Sequence, residues 1–200
     1  PLYFEVTVGM EMADDGTPVD SPHPVTLELP GGKSIRARGR MDRIEETGSA
    51  GGGVFRVCDY KTGSSFGYDP ADPFRGGRLI QNFLYLAQAE RVLRPLHPGA
   101  RVESFYYFFP STRGYGERIA WDASALSEGP LVLARLCEMI AGGCFPFTDD
   151  VEDVRFSDYL AAFWDAEREA ERIKRKLARA ENVALAPFRE LRGYGGGADG

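Results

Sequence analysis

Four segments near the start of the chain alternate between apolar and polar residues, as strands with one buried face do. They are residues 3–10, 25–29, 34–45 and 54–62. The Gly-rich segment 47–53 separates the last two and is typical of a hairpin connection. We therefore predict a run of strands, the last of which ends in the polar sequence DYKT.

The pattern changes after residue 62. The segment 63–77 is rich in Gly, Pro and Asp, which predicts a loop. From Leu79 to about Leu93 apolar residues recur every three or four positions, which predicts a helix. Further elements are expected in this order: an aromatic-rich strand at 101–110, a turn at 112–116, a short strand at 117–122, and helices at about 124–141 and 157–182.

This order of elements predicts an α/β or α+β fold with a central mixed sheet flanked by helices. A chain of 200 residues that is 43% hydrophobic can bury one sizeable core. We predict one domain over residues 1–182 and a tail over 183–200, with its last eight residues disordered. The chain starts with Pro1 and enters a strand at once, so we expect it to be a piece of a longer protein.

Charge and cysteine content narrow the function. The chain carries 24 basic and 30 acidic residues, a formal charge of −6, which argues against a simple nucleic-acid binder. Carboxylates that hold cations also lower the net charge, so an enzyme acting on DNA remains possible. No apolar run is long enough for a membrane span, and three cysteines without metal-ligand spacing favour a reducing compartment. We expect a cytoplasmic protein without a membrane partner.

The residues with the clearest chemistry are Asp42, Asp59 and Lys61. Mg²⁺ prefers oxygen ligands and keeps several waters, so a few converging carboxylates suffice to hold it. Lys61 lies two positions after Asp59 and shares its strand face, where it can hold a phosphate oxygen or the attacking water. The main-chain carbonyl of Tyr60 can add a ligand. The alternative is a surface salt bridge between Asp59 and Lys61.

The motifs GRMDRIE at 39–45 and DYKTG at 59–63, followed by QNFLY at 81–85, resemble the PD-(D/E)XK nuclease superfamily. Within it they are most similar to the RecB-like exonuclease branch, including the nuclease module of AddB-type helicase–nuclease subunits. The resemblance covers roughly residues 3–120. It implies a restriction-endonuclease-like core that hydrolyses DNA with Mg²⁺ or Mn²⁺.

The resemblance also assigns roles. Asp42 and Asp59 match the metal-binding aspartates and Lys61 matches the catalytic lysine. Gln81 and Tyr85 match a Q-x-x-x-Y motif that supports the site and the DNA backbone, and residues four apart share a helix face. The alternatives are a solvent-exposed glutamine and a core tyrosine.

Two further residues flank this set. Glu5 matches a strand glutamate that approaches the metal or the DNA in the family, although a strand glutamate facing solvent is an equal alternative. Arg43 can bind a phosphate with both arms of its guanidinium, or it can pair with Asp42 or Glu45.

The sequence departs from the family in two places. Relatives carry a metal-binding histidine on a helix before the first strand, and neither His23 nor His97 matches it. AddB-type modules also have cysteines that ligate an iron–sulfur cluster, whereas the corresponding positions here are Val154, Ser157 and Phe163. We therefore expect no iron–sulfur cluster, and we expect this helix end to be packed by aromatic side chains, namely Phe156, Tyr159, Phe163 and Trp164.

The leading hypothesis is a metal-dependent DNA nuclease, an exonuclease acting on ends or single strands in repair or recombination, with a helicase domain or subunit as partner. The alternative is a catalytically inactive nuclease-fold module that binds DNA or scaffolds a partner. A sugar- or nucleotide-processing enzyme is a third idea, but the sequence has no Gly-rich phosphate loop to support it.

Overall fold

The computed structural model describes residues 1–11, 15–47, 53–111, 116–162 and 165–194. The chain divides into two compact units between Leu133 and Ala134. The predicted turn at 112–116 and the aromatic pair Phe163 and Trp164 lie mostly or wholly outside the described residues, as do residues 195–200 at the end of the predicted tail.

In its described residues the first unit contains a five-stranded sheet of order β1-β4-β5-β6-β7 and a two-stranded sheet of β2 and β3. The strands are β1 Tyr3–Val8, β2 Val25–Leu29, β3 Lys33–Ala37, β4 Gly39–Glu46, β5 Val54–Tyr60, β6 Arg101–Phe109 and β7 Glu117–Asp122. Of these strands, β5 and β6 run parallel in the larger sheet, and its other neighbours are antiparallel. This mixed sheet with its helices confirms the predicted fold class.

Helix α1, Gln81–Leu93, connects the two parallel strands, because parallel neighbours need a long crossover. Its buried residues Leu86, Ala89 and Leu93 belong to the same core cluster as the strand residues Val57 and Phe105. The predicted helix from Leu79 to Leu93 is thus confirmed to within two residues. The crossover puts the first turn of α1 after the end of β5, where DYKTG lies.

The predicted strand 34–45 is wrong as a single element. It divides at Arg38 into β3, which pairs with β2, and β4, which pairs with β1 and β5. The alternation continues across the division, so hydrophobic pattern alone cannot show that the hydrogen-bond partners change. Gly39 starts β4, and a Cβ atom there would lie 3.0 Å from Cε1 of Tyr85.

The segment predicted as a loop, 63–77, contains a short 3-10 turn at Arg75–Gly77 and is anchored at several points. The side chain of Asn82, fully buried at the start of α1, donates to the Pro73 carbonyl at 2.7 Å. The Trp121 indole donates to the Pro70 carbonyl at 3.0 Å. Tyr68 packs against Tyr107 with ring centroids 5.0 Å apart. These contacts tie the connection between β5 and α1 to the core.

The described residues after β7 contain further α-helices: α2 Gly129–Ala141, α3 Val151–Arg155, α4 Ala166–Leu177 and α5 Ala186–Arg192. The predicted long helix 157–182 is wrong in extent, because Asp165 caps α4 by accepting from the N–H of Arg168 and so sets its start. Within α4, Ala170 and Leu177 are buried. The predicted tail 183–200 contains α5, whose Phe188 is buried with Leu177.

The aromatic packing expected at the iron–sulfur position is wrong for the two residues that the structure describes. Phe156 is 80% exposed and Tyr159 is 67% exposed, although Tyr159 makes an edge contact with Phe147. The predicted domain boundary at residue 182 stays a prediction. In the described part of the chain, no helix is long and apolar enough to cross a membrane.

We predict that Asn82→Ala lowers the free energy of unfolding by about 1–3 kcal/mol, because it removes a fully buried side chain and leaves the partly buried Pro73 carbonyl without its donor. The measurement is urea unfolding followed by circular dichroism. The control is Asn182→Ala, the same substitution at an exposed position, which should change stability by at most about 0.5 kcal/mol. Equal effects of the two substitutions would contradict the anchoring role of Asn82.

Candidate active site

Asp59 lies near the end of β5, the strand at the centre of the five-stranded sheet. It pairs with Tyr107 of β6 and is only 4% exposed. Strand alternation puts Val57 and Asp59 on the face that packs against α1, with Cys58 and Tyr60 on the other. A carboxylate therefore projects from the core face of the sheet at the point where apolar packing ends.

The register of β4 and β5 brings Asp42 to Asp59. Arg43 pairs with Cys58, so the next step along this antiparallel pair sets Asp42 opposite Asp59. The N–H of Tyr60 donates to Asp42 Oδ2 at 2.6 Å. The predicted hairpin pairing is thus confirmed. The register of the two strands is enough to place Asp42 beside Asp59.

The pairing of β1 with β4 is irregular next to Asp42. Residues Phe4 and Val6 pair with Arg43 and Met41, but Glu5 between them has φ +52°, which is rare for a residue other than glycine. The register places Glu5 opposite Asp42. Its carboxylate is 65% exposed, with Oε2 3.8 Å from Nη1 of Arg40. Glu5 therefore lies beside the predicted site but faces solvent.

Lys61 has two close partners on the core side. Its Nζ lies 2.6 Å from Asp59 Oδ2 and donates to Gln81 Oε1 at 2.8 Å. Gln81 is the first residue of α1, so the crossover helix delivers it to the end of β5. The structure thus brings together Asp59, Lys61 and Gln81, and the exposed-glutamine alternative is not what is observed.

Tyr85 lies one turn after Gln81 and is half-buried. Its ring packs against Phe105, with centroids 6.5 Å apart, and lies over Gly39. Burial raises the pKa of Tyr85, a hydrogen bond with Gln81 lowers it, and the charges of Asp59 and Asp42 raise it further. Tyr85 is therefore both a packing residue and a neighbour of the two aspartates.

Tyr107 contacts Lys61 and Gln81, although the sequence gave no reason to expect it at the site. Its ring centroid lies 4.9 Å from Lys61 Nζ, and its hydroxyl is 3.5 Å from Gln81 Oε1. Burial raises the pKa of Tyr107, and the charge of Asp59 adds to this effect. The only signal in the sequence was the aromatic-rich strand 101–110, which does not show which aromatic residue pairs with Asp59.

The electrostatics of Asp59 are those of a carboxylate held out of water. Burial raises its pKa, the close contact and charge of Lys61 lower it, and the charge of Asp42 raises it again. The net shift is upward, so one lysine does not fully compensate for the loss of hydration. A second cation beside the two aspartates would stabilise both carboxylates.

The donors fit a divalent metal. Asp59 Oδ2 is buried and accepts no hydrogen bond of good geometry from the described part of the chain, so its only partner there is the ion pair with Lys61. Two carboxylates and one main-chain carbonyl are oxygen ligands of the kind Mg²⁺ takes while it keeps several waters. Among the described residues, no group of three or more His, Cys, Asp or Glu side chains could hold a metal.

Other residues considered from the sequence lie elsewhere. The His97 ring is in hydrogen-bond contact with the Tyr3 hydroxyl at 2.8 Å and packs against Phe55. Arg43 lies on the sheet face that carries Cys58, and its guanidinium contacts Tyr60, Tyr106 and Glu45. The predicted phosphate contact of Arg43 therefore competes with three protein partners.

Residues 4–193 match the family model of the PD-(D/E)XK nuclease superfamily, and the chain belongs to this superfamily. The assignment agrees with the motifs GRMDRIE and DYKTG and with the mixed sheet that positions them. The resemblance inferred from the sequence is thereby confirmed.

Two curated relatives are each named as a subunit of an ATP-dependent helicase/deoxyribonuclease. The protein from Symbiobacterium thermophilum is 38% identical over 112 residues, which is 55% of this chain and 9% of the relative. The protein from Alkaliphilus oremlandii is 29% identical over 113 residues, 54% of this chain and 9% of the relative. The match therefore spans about a tenth of the length of these relatives.

We predict that Mn²⁺ raises the melting temperature of the wild-type chain, because a ligand that binds only the folded state stabilises it. At about 100 times the dissociation constant the gain is about 2.7 kcal/mol. Asp59→Asn should abolish the increase, because a neutral amide is a weaker metal ligand. Thermal unfolding with and without Mn²⁺ measures both.

The control for this prediction is Asp122→Asn, the same chemical change at an exposed aspartate at the end of β7. It should keep the full Mn²⁺-dependent increase. An increase that survives in Asp59→Asn would show that the ion binds elsewhere on the chain.

Proposed function

We propose that this chain is a DNA nuclease that hydrolyses phosphodiester bonds with Mg²⁺ or Mn²⁺. The observation that carries the proposal is the position of Lys61, whose ammonium lies between Asp59 and Gln81 at 2.6 and 2.8 Å. Asp42 is held on the neighbouring strand by the peptide of Tyr60. This arrangement joins two acidic side chains and one cation at one end of the sheet.

Asp42 and Asp59 hold the metal in this proposal, with the main-chain carbonyl of Tyr60 as a further ligand. When bound, the metal supplies an acidified water and positive charge at the scissile phosphate. The buried Asp59 favours this role, because its raised pKa reports an incompletely compensated carboxylate. Strands β4 and β5 fix both aspartates, so the ligands are in place before the ion binds.

Lys61 acts on the phosphate or on the attacking water. An ammonium has three donors, and the contacts with Asp59 and Gln81 engage at most two of them, so at least one remains for a substrate oxygen. A positive charge aimed at the developing negative charge stabilises the transition state. Gln81 holds the ammonium in place. Tyr85, one turn later on α1, packs over Gly39 and contacts Gln81. Glu5 lies beside Asp42 on the neighbouring strand.

The proposed substrate is DNA, because the relatives are named helicase/deoxyribonuclease subunits. Single strands or duplex ends are its proposed form, as the resemblance to RecB-like exonucleases implies. The same names support a helicase domain or subunit as the partner. A role in repair or recombination is proposed from the resemblance to RecB-like nucleases, and a cytoplasmic location from the three free cysteines, Cys58, Cys137 and Cys144. Exonuclease activity fits a module fed by a helicase. A net charge of −6 also favours a partner that brings the DNA to the site.

The second candidate is an inactive nuclease-fold module that binds DNA or scaffolds a partner. One observation favours it: in the part of the chain that the structure describes, the site has two metal-binding side chains and no group of three. An incomplete metal shell reduces metal affinity while leaving the fold intact. A cleavage assay decides between the two.

We predict that Lys61→Ala lowers kcat on linear DNA in Mg²⁺ or Mn²⁺ by about 100- to 1,000-fold, the loss expected when one preorganised donor is removed. The assay compares linear, covalently closed circular and single-stranded DNA. Degradation confined to substrates with ends identifies an exonuclease. The control is Lys174→Ala, which removes the same charge from an exposed position on α4.

Unchanged cleavage by Lys61→Ala would refute the role of Lys61. A wild-type chain that binds Mn²⁺ but leaves every substrate intact would favour the inactive module.

A further inference from the structure

Arg43 follows the proposed metal ligand Asp42 but lies on the other face of the sheet. It pairs with Cys58, which in turn pairs with Tyr106 of β6. The core face at this level is formed instead by residues such as Val57 and Tyr107. A function for Arg43 must therefore be sought in its contacts on the second face.

These contacts engage both terminal nitrogens of the guanidinium. Nη1 donates to the Tyr60 hydroxyl at 2.5 Å, and Nη2 donates to the Tyr106 hydroxyl. Nη2 also lies 2.9 Å from Glu45 Oε1. The guanidinium carbon stands 5.1 Å from the Tyr60 ring centroid, so the ring and its hydroxyl both hold the same cation.

Little of the guanidinium remains for a phosphate. The Arg43 side chain is 17% exposed, and its Nε is buried without a hydrogen bond to any described residue. Bidentate phosphate binding needs two adjacent N–H groups that reach solvent. To offer them, Arg43 would have to leave Tyr60, Tyr106 and Glu45.

Glu45 strengthens the hold on Arg43. It is 7% exposed and contacts both Arg43 and Arg56, whose Nε donates to Glu45 Oε2 at 2.5 Å. Burial alone raises the pKa of Glu45, but the hydrogen bond with Arg56 and the charges of both arginines lower it overall. Glu45 is thus a stable anion that holds Nη2 of Arg43, while Tyr60 accepts from Nη1.

Tyr60 connects this cluster to the proposed site. Its side chain is on the second face with Arg43, while its backbone lies between Asp59 and Lys61. Its N–H donates to Asp42 Oδ2 at 2.6 Å. A displacement of the Tyr60 ring therefore shifts both peptide groups that flank Tyr60. The N–H of the first orients Asp42, and the second carries the carbonyl assigned to the metal.

We propose that Arg43 is a positioning residue, which holds Tyr60 so that the Tyr60 peptide orients Asp42, and that it is not a phosphate ligand. The inference rests on the proposed metal-dependent function and specifies how one of its ligands is kept in place. Partners that orient metal ligands typically contribute 10- to 100-fold in metal affinity.

The test measures metal and DNA binding separately in the 200-residue chain. Mn²⁺ affinity is determined by isothermal titration calorimetry without DNA. DNA affinity is determined by fluorescence anisotropy in EDTA at several salt concentrations, because each phosphate contact contributes about 0.7–0.9 to the slope of log K against log salt. For Arg43→Gln we expect a Mn²⁺ affinity about 10- to 100-fold lower and an unchanged salt slope.

A second variant guards against misfolding. Tyr60→Phe removes only a hydroxyl from a side chain that is 39% exposed, and with it the hydrogen bond from Arg43. It should lower Mn²⁺ affinity in the same direction as Arg43→Gln. The control is Arg118→Gln, which removes a charge from an exposed arginine on the same face of the sheet. The guanidinium carbon of Arg118 lies 4.6 Å from the Tyr106 ring centroid, and Arg118 is not among the described contacts of Tyr60. The Mn²⁺ affinity of Arg118→Gln should equal that of the wild type.

Two results would overturn the inference: a salt slope that falls by about 0.7–0.9 in Arg43→Gln, or Mn²⁺ affinity that stays at the wild-type value in Tyr60→Phe. Either result leaves the proposed nuclease function standing, provided that the wild type binds Mn²⁺. A wild type that binds no Mn²⁺ contradicts the proposed function itself and the inference with it.

Discussion

The buried carboxylate of Asp59 is the constraint around which the first unit is organised. An ionised group that is 4% exposed loses most of its hydration, and burial raises its pKa. Lys61, two residues further along the chain, offsets part of this loss through its ion pair with Asp59. Gln81 keeps Lys61 in position by accepting a hydrogen bond from it. The crossover helix, the anchored loop before it and the parallel pair β5–β6 all serve to bring these three side chains together.

Near Asp59, the two faces of the central sheet carry different sets of side chains. On the face toward α1, the apolar core ends in Asp59, with Tyr107 and Tyr85 packed around Lys61 and Gln81. On the other face, Arg43, Glu45, Arg56 and Tyr106 form a partly buried polar cluster. Such a cluster rigidifies a strand pair when its members satisfy one another. Tyr60 belongs to both faces, since its ring lies on one and its peptide orients Asp42.

The irregular pairing of Glu5 and Asp42 fits this picture. Glu5 adopts φ +52° within a strand, a conformation that costs energy in a residue with a side chain. Met41 and Ile44 are both fully buried although they are three residues apart, so the alternation of β4 shifts by one residue between them. Backbone strain of this kind clusters at active sites. Asp42 lies within the shifted stretch.

The sequence was sufficient to predict the order of strands and helices and the superfamily, because these depend on local periodicity and on motif spacing. It also predicted Asp42, Asp59, Lys61, Gln81 and Tyr85 as one set of site residues. It did not determine where β3 ends and β4 begins, since alternation persists while hydrogen-bond partners change. It also left the protein contacts of Arg43 open and gave no reason to choose Tyr107. Only the tertiary structure decided these points, because they depend on strand register and on contacts between residues far apart in the chain.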